Sequence, residues 1–169
     1  MKIPSQSGIL PLLQDASFYD CHTQRVPYRG QSALEIFFTV ARTTPAWVNV
    51  LMKIRNQVVG FVGLKNLGHL GDIDRDKPLS AYQIGDRVGI FSIHAMSHQE
   101  VIVEDRDKHL NVRVSLYVEP DGVQAILHVT TVVHVKNRLG KLYMFFVTPM
   151  HRLIVPSSLK QLPDAMLKP

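Results

Sequence analysis

The sequence predicts an α+β fold in which a curved antiparallel sheet closes around a long C-terminal helix. Three observations carry this. Residues 105–137, DRDKHLNVRVSLYVEPDGVQAILHVTTVVHVKN, hold two long runs of alternating apolar and polar residues around Glu119-Pro120-Asp121-Gly122. Such alternation marks strands with one buried face, and a Pro-Asp-Gly turn joins them as a hairpin. From Gly140 to Val155 the chain is apolar around most of a helical circumference. The order strand, helix, helix, several strands, helix then packs as two layers.

The first strand spans Tyr19 to Val26 and ends at Pro27 and a Tyr28-Arg29-Gly30-Gln31 turn. Ser32-Ala33-Leu34-Glu35 reads as a capping box, which opens a helix by satisfying free N–H groups in both directions. That helix carries Leu34, Phe37, Phe38 and Ala41 on one face and stops at Thr43-Thr44-Pro45. Thr44 suits an N-cap and Pro45 a first helical residue. A second, amphipathic helix sets Trp47, Val50, Leu51, Ile54 and Val58 against Asn49, Lys53, Asn56 and Gln57. The glycine-rich, charged stretch Gly60 to Gly85 reads as a long loop of the kind that covers a binding site.

Strands follow at Val88 to Met96, Glu100 to Glu104, His109 to Glu119 and Val123 to Lys136. The last two exceed the usual strand length, which suits a curved sheet. In the closing helix only Lys141, Thr148, His151 and Arg152 break the apolar surface, so it is expected to be largely buried. Pro149 lacks an N–H and clashes with the Phe145 carbonyl, which predicts a kink there. Pro156-Ser157-Ser158 then loosens or ends the helix.

The 169 residues suit a single domain, with a core at about 19–159 and flexible tails at either end. A content of 46% hydrophobic and 20% charged residues is that of a soluble globular protein. The lone Cys21 rules out an intrachain disulfide. The opening MKIPSQSGILPLLQD has one lysine and a five-residue apolar patch broken by Pro11, too short for a signal peptide. No apolar run of 18 residues exists, so a cytoplasmic protein without a membrane span is expected. The net charge of +5 comes from scattered basic residues without a nucleic-acid motif. That reads as a solvated basic surface with no nucleic-acid partner.

If the hairpin turn sets Val118 opposite Val123, Arg113 faces His128 and Asn111 faces Thr130. One face then holds His109, Asn111, Arg113, Ser115, Tyr117, Gln124, His128, Thr130 and His134, and is expected to be solvent-side or interfacial. The other holds Leu110, Val112, Val114, Leu116, Ala125, Leu127, Val129 and Val133, and is expected to meet the closing helix. His128 and His134 lie roughly 20 Å apart along one strand, and His109 with His134 supplies two ligands but no third. No metal site is expected. Cys21 and His22 point to opposite faces, so Cys21 reads as a buried structural residue. Ser92 and His94 share a face without a nucleophile elbow and read as surface polar groups. Gly63 to Gly68 has the phosphate-loop gap, but His69-Leu70 follows where Lys-Ser/Thr is required. Glu104, Asp105 and Asp107 crowd the turn before His109. Asp107 and His109 are the catalytic candidates there, against the reading of a solvated charged turn.

The element order resembles the START-like, helix-grip superfamily of ligand-binding domains and cyclases. Phe38…Pro45-Ala46-Trp47-Val48, Leu51-Met52-Lys53-Ile54-Arg55-Asn56, Gly63-Leu64-Lys65 and Val88-Gly89-Ile90-Phe91 resemble a bacterial family called domain of unknown function 2867. Asp107 to Ser115 and Tyr143…Pro149-Met150-His151-Arg152 continue the resemblance, which covers about Tyr19 to Leu159. It implies a fold with an internal cavity and no established activity.

The leading expectation is binding of a small apolar or lipid-like ligand between sheet and helix. Phe91, Ile93, Val114, Leu127, Phe146 and Met150 are the expected lining, with Arg113 or Tyr143 as polar anchor. No cofactor is expected. The rivals are a cyclase- or hydrolase-like enzyme using Asp107 and His109, and an interaction module that self-associates, for example as a homodimer.

Overall fold

The structure, a computed structural model, describes residues 3–48, 50–51 and 77–167. Six strands form one antiparallel sheet: β1 Phe18–Pro27, β2 Arg87–Val88, β3 Phe91–Met96, β4 Glu100–Arg106, β5 Leu110–Asp121 and β6 Gln124–Val135. Their spatial order is β1-β6-β5-β4-β3-β2. The helices α1 Ala33–Arg42, α2 Arg138–Lys160 and α3 Leu162–Leu167 accompany them. The sheet is curved and the long α2 bent, which makes this the expected α+β arrangement of a curved antiparallel sheet with a long C-terminal helix.

Local chemistry accounts for the elements. Ser32 caps α1 through the predicted box, with Ser32 Oγ accepting from Glu35 N at 3.3 Å and Glu35 Oε2 accepting from Ser32 N at 2.6 Å. Leu34, Phe38 and Ala41 of the predicted face are buried, together with Ala33 and Ile36. Residues 46–48 and 50–51 are helical, following Pro45 as its chemistry directs. Their packing differs from expectation: Val48 is buried, while Trp47 and Val50 are exposed. Ile54, Val58, the polar side of that helix, the Gly63 to Gly68 motif and the loop up to residue 76 lie outside the described residues.

The strand expected over Val88 to Met96 is two strands. Gly89, at φ +61°, turns the chain so that Val88 pairs with Phe91. The hairpin register also differs. Val118 pairs with Leu127 rather than Val123, so Arg113 faces Val132 and Asn111 faces His134. Pro120 and Asp121 remain in the strand, and Gly122-Val123 makes a two-residue turn with Gly122 at φ +64°. A tight turn with glycine at its first central position matches the twist of paired strands better than the Pro-Asp-Gly turn. The partner strand is displaced by four residues, an even number, so the side chains on each face are those expected.

Both faces are covered. On the apolar face, Leu116, Val118, Ala125 and Leu127 pack with Leu34, Ile36 and Phe38 of α1 and with Leu159 and Leu162. The polar face was expected at solvent or an interface; instead Asn111, Ser115, His128 and Thr130 are buried. The N-terminal segment, expected to be a loose tail, lies over this face. Ile9 is fully buried against Ile102 and Val132, flanked by Ile3, Leu12 and Leu13. Glu100 accepts hydrogen bonds from Ser7 Oγ, Gly8 N (2.7 Å) and Ser115 Oγ (2.6 Å), pinning the segment to the sheet. Tyr117 donates to Gln6, and His134 to the Gln14 carbonyl.

Helix α2 begins at Asn137, whose Oδ1 accepts from Gly140 N at 3.0 Å. It runs through Pro149 and Pro156. The expectation of an almost wholly buried helix is not met. Gly140, Ser158 and Leu159 are buried, whereas Leu142, Phe145, Phe146 and Leu153 are more than half exposed. One stripe meets the sheet and the opposite stripe does not. No helix among the described residues is long and apolar enough to cross a membrane.

Candidate functional site

The layer between sheet and helices is packed at one end and hollow at the other. Toward the hairpin turn, α1 and α3 fill the space over Val118, Ala125 and Leu127. Toward the open end, among the described residues, two adjoining cavities remain between the sheet, α2, the C-terminal half of α1 and the helical residues that follow it. One, of about 160 Å³, is lined by Phe18, Leu110, Val112, Val133, Tyr143 and Met150 among others. The second, of about 230 Å³, lies between Phe37, Val40, Val114, Leu116, Val129 and Val155. Ile90, Phe91, Thr131, Val147, His151 and Ile154 belong to both linings. Apolar cavities of ~150 Å³ in other proteins admit a benzene-sized guest. The walls are mostly aliphatic and aromatic.

Asp105, Tyr143, Thr44 and Ser158 add polar groups to these walls, and one polar cluster joins three elements. Asp20 of β1 and Thr131 of β6 are paired across the sheet, and His151 of α2 sits over both. His151 Nδ1 lies 3.1 Å from Asp20 Oδ2, and its Nε2 lies 3.2 Å from Thr131 Oγ1. His22 Nε2 approaches the same Asp20 oxygen at 3.3 Å. The edge of the His151 ring also meets Phe18, with centroids 6.0 Å apart. Burial pushes the Asp20 carboxyl upward, but the hydrogen bond from His151 and the charges of His151 and His22 outweigh it and hold it below the usual range. Asp20 is therefore an ionised acceptor, and the proton it accepts comes from His151 Nδ1.

The structure divides the expected lining residues. Phe91, Val114, Tyr143 and Met150 line the cavities. Ile93 and Leu127 are instead packed within the solid core. Phe146 lies on the outward stripe of α2 at 62% exposure, because its helical position turns it away from the sheet. Arg113 is on the opposite face of the sheet, held by Glu104 Oε1 at 2.9 Å, and is no anchor for the cavity. Asn111 donates to the same oxygen at 2.8 Å, and His94 lies 3.5 Å from Oε2. Burial works against ionisation of Glu104, yet the bond from Asn111 and the charges of Arg113 and His94 bring its net position below normal. Ser92 and His94 thus belong to the surroundings of Glu104, with Ser92 Oγ donating to its carbonyl at 3.3 Å.

Asp107 and His109 do not form an acid–base pair. Asp107 Oδ1 accepts from the backbone N–H groups of His109 (2.6 Å) and Leu110 (2.8 Å), which closes the β4–β5 turn. The buried His109 ring meets Asn137 at the start of α2. Neither residue lines either cavity. Cys21 is buried, as its strand position predicts. Among the described residues no group of three His, Cys, Asp or Glu is placed to share a metal ion.

The polar cluster itself was missed. In the sequence His151 reads as a break in an apolar helix and as part of the Pro149-Met150-His151-Arg152 motif, and Asp20 as one position in a strand. They are 131 residues apart, so no local spacing could unite them.

A model of the family described as "Protein of unknown function (DUF2867)" matches residues 12–158. Among solved structures, a START superfamily protein from Mycobacterium smegmatis is similar, with 12% identity and a TM-score of 0.36 over 88% of this chain and 93% of that one. No curated protein matches the chain.

Proposed function

The chain belongs to the protein family of unknown function DUF2867, and we propose that it binds a small, largely apolar molecule between the sheet and α2. The observation that carries this reading is the hollow end of the layer, walled by Phe91, Val112, Val114, Val129, Val147 and Ile154. Burying apolar ligand surface there yields roughly 25 cal/mol per Å² removed from water. The ligand replaces contacts that these walls lack when the cavity is empty.

Filling the space tests it. The apolar fluorophore N-phenylnaphthylamine should brighten and shift to the blue when titrated into the protein. Val114→Phe, which extends a ring into the cavity, should weaken that response at least tenfold while leaving the thermal midpoint at or above that of the parent. Equal dye binding by the two proteins would sink the reading.

A further inference from the structure

We infer that the outward stripe of α2 docks on an anionic lipid bilayer. This goes beyond the cavity reading and does not depend on it. Leu142, Phe145, Phe146 and Leu153 are each more than half exposed, and Pro149 between them is exposed as well. Their spacing sets all five within an arc of about 100° on the helix. The inward stripe, with Tyr143, Met144, Val147, Met150 and Ile154, lies on the opposite side and walls the cavities. Phe145 and Phe146 meet edge to face with centroids 5.3 Å apart, so the stripe is a continuous patch and not a set of scattered residues. The helical residues after α1 border the same cavities through Val48 and Leu51, and they expose Trp47 and Val50.

The charges around this stripe decide what covers it. Arg138, Lys141, Arg152 and Lys160 are all exposed. Arg138 and Lys160 stand at the two ends of α2, and helical spacing sets Lys141 and Arg152 along one flank of the stripe. No Asp or Glu occurs from residue 122 to residue 163, so the helix carries basic groups alone. Asp20, the carboxylate that meets α2 at His151, lies on its inner side. An apolar stripe with a purely basic margin matches a surface that is anionic outside and apolar beneath, as a bilayer containing acidic lipids is. Phe145 and Phe146 enter the boundary between headgroups and acyl chains, while the long Lys and Arg side chains reach the lipid phosphates. A second copy fits poorly. Packed stripe on stripe, two α2 helices bring basic end to basic end in either direction, with no acid on the helix to offset them. Docking also sets the cavities one helix diameter, about 10 Å, from the lipid.

Vesicle flotation of the full chain tests this, with vesicles of phosphatidylcholine alone and with about 30% phosphatidylglycerol added. The protein should bind the anionic vesicles at least tenfold more tightly than the neutral ones, and ~0.5 M salt should release it. Phe145→Ser combined with Phe146→Ser removes apolar surface, keeps every charge and should weaken binding at least tenfold. Lys141→Gln should weaken it about fivefold. These side chains are exposed, so the thermal midpoint of each variant should stay near that of the parent. No flotation with anionic vesicles, or flotation that the phenylalanine pair leaves unchanged, overturns the proposal. Where flotation fails, light scattering says what replaces it. A dimer that the paired change dissociates gives the stripe to a second copy, and a monomer gives it to an acidic protein or to residues 52–76 of this chain.

Discussion

Replacing Ile9 by alanine should destabilise the whole protein, because the N-terminal segment is part of the second core and not a tail. Ile9 is completely buried, with Ile102 and Val132 as buried neighbours and Ile3, Leu12, Leu13, Ala16 and Ala95 around them. Removing three carbons costs about 2.4 kcal/mol in transfer free energy alone. The hole they leave adds to this, within the range of about 2–5 kcal/mol seen for isoleucine truncations in cores. At this chain length ~3 kcal/mol corresponds to a fall of roughly 6–12 °C in Tm. Urea unfolding of the two proteins, monitored by circular dichroism, measures the difference directly. Native-state hydrogen exchange supplies the local reading: amides of residues 9–17 should be protected in the parent and exchange faster in Ile9→Ala. A change under about 0.5 kcal/mol, the size of an ordinary surface substitution, with unprotected amides in the parent would refute the reasoning.

Asn137→Ala removes the side chain that caps α2 at Gly140 N and also donates to the Lys108 carbonyl at 3.2 Å. A loss of about 1 kcal/mol is expected in urea unfolding, and no loss would show that the cap is idle. Asp20 and Glu104 both titrate lower in the folded chain than in the unfolded one. Their contribution is complete above the unfolded carboxylate range near pH 4 and is lost as pH falls through the folded values. The urea midpoint should therefore drop between about pH 5 and pH 3, and Glu104→Gln should show a shallower drop. Parallel curves for the two proteins would remove Glu104 as a source of the acid sensitivity.

The parts of the fold that were legible in the sequence are those written in local patterns. Ser32 and Glu35 announce the start of α1 with their own side chains, and the alternation from Leu110 to Val133 assigns each residue to a face. That assignment survived a wrong turn because the register error was even. The cover over the polar face was not legible: Ile3, Ile9, Leu12 and Leu13 show no period, and their partners Ile102 and Val132 are distant in sequence. Burial around α2 was misread for the related reason that apolar content all round a helix does not say which sides have neighbours. Phe146 and Met150 look alike in the sequence, yet Met150 lines a cavity and Phe146 is exposed. The cluster of Asp20, Thr131 and His151 exists only because β1 pairs with β6 and α2 folds back over both.

The most direct measurement is native mass spectrometry of the chain purified from its own host under non-denaturing conditions, with Val114→Phe prepared in parallel. The parent should carry an added mass that is released on denaturation and partitions into organic solvent, and the variant should not. A parent that emerges free of any small molecule and also fails to take up N-phenylnaphthylamine would contradict a ligand-binding cavity between the sheet and α2.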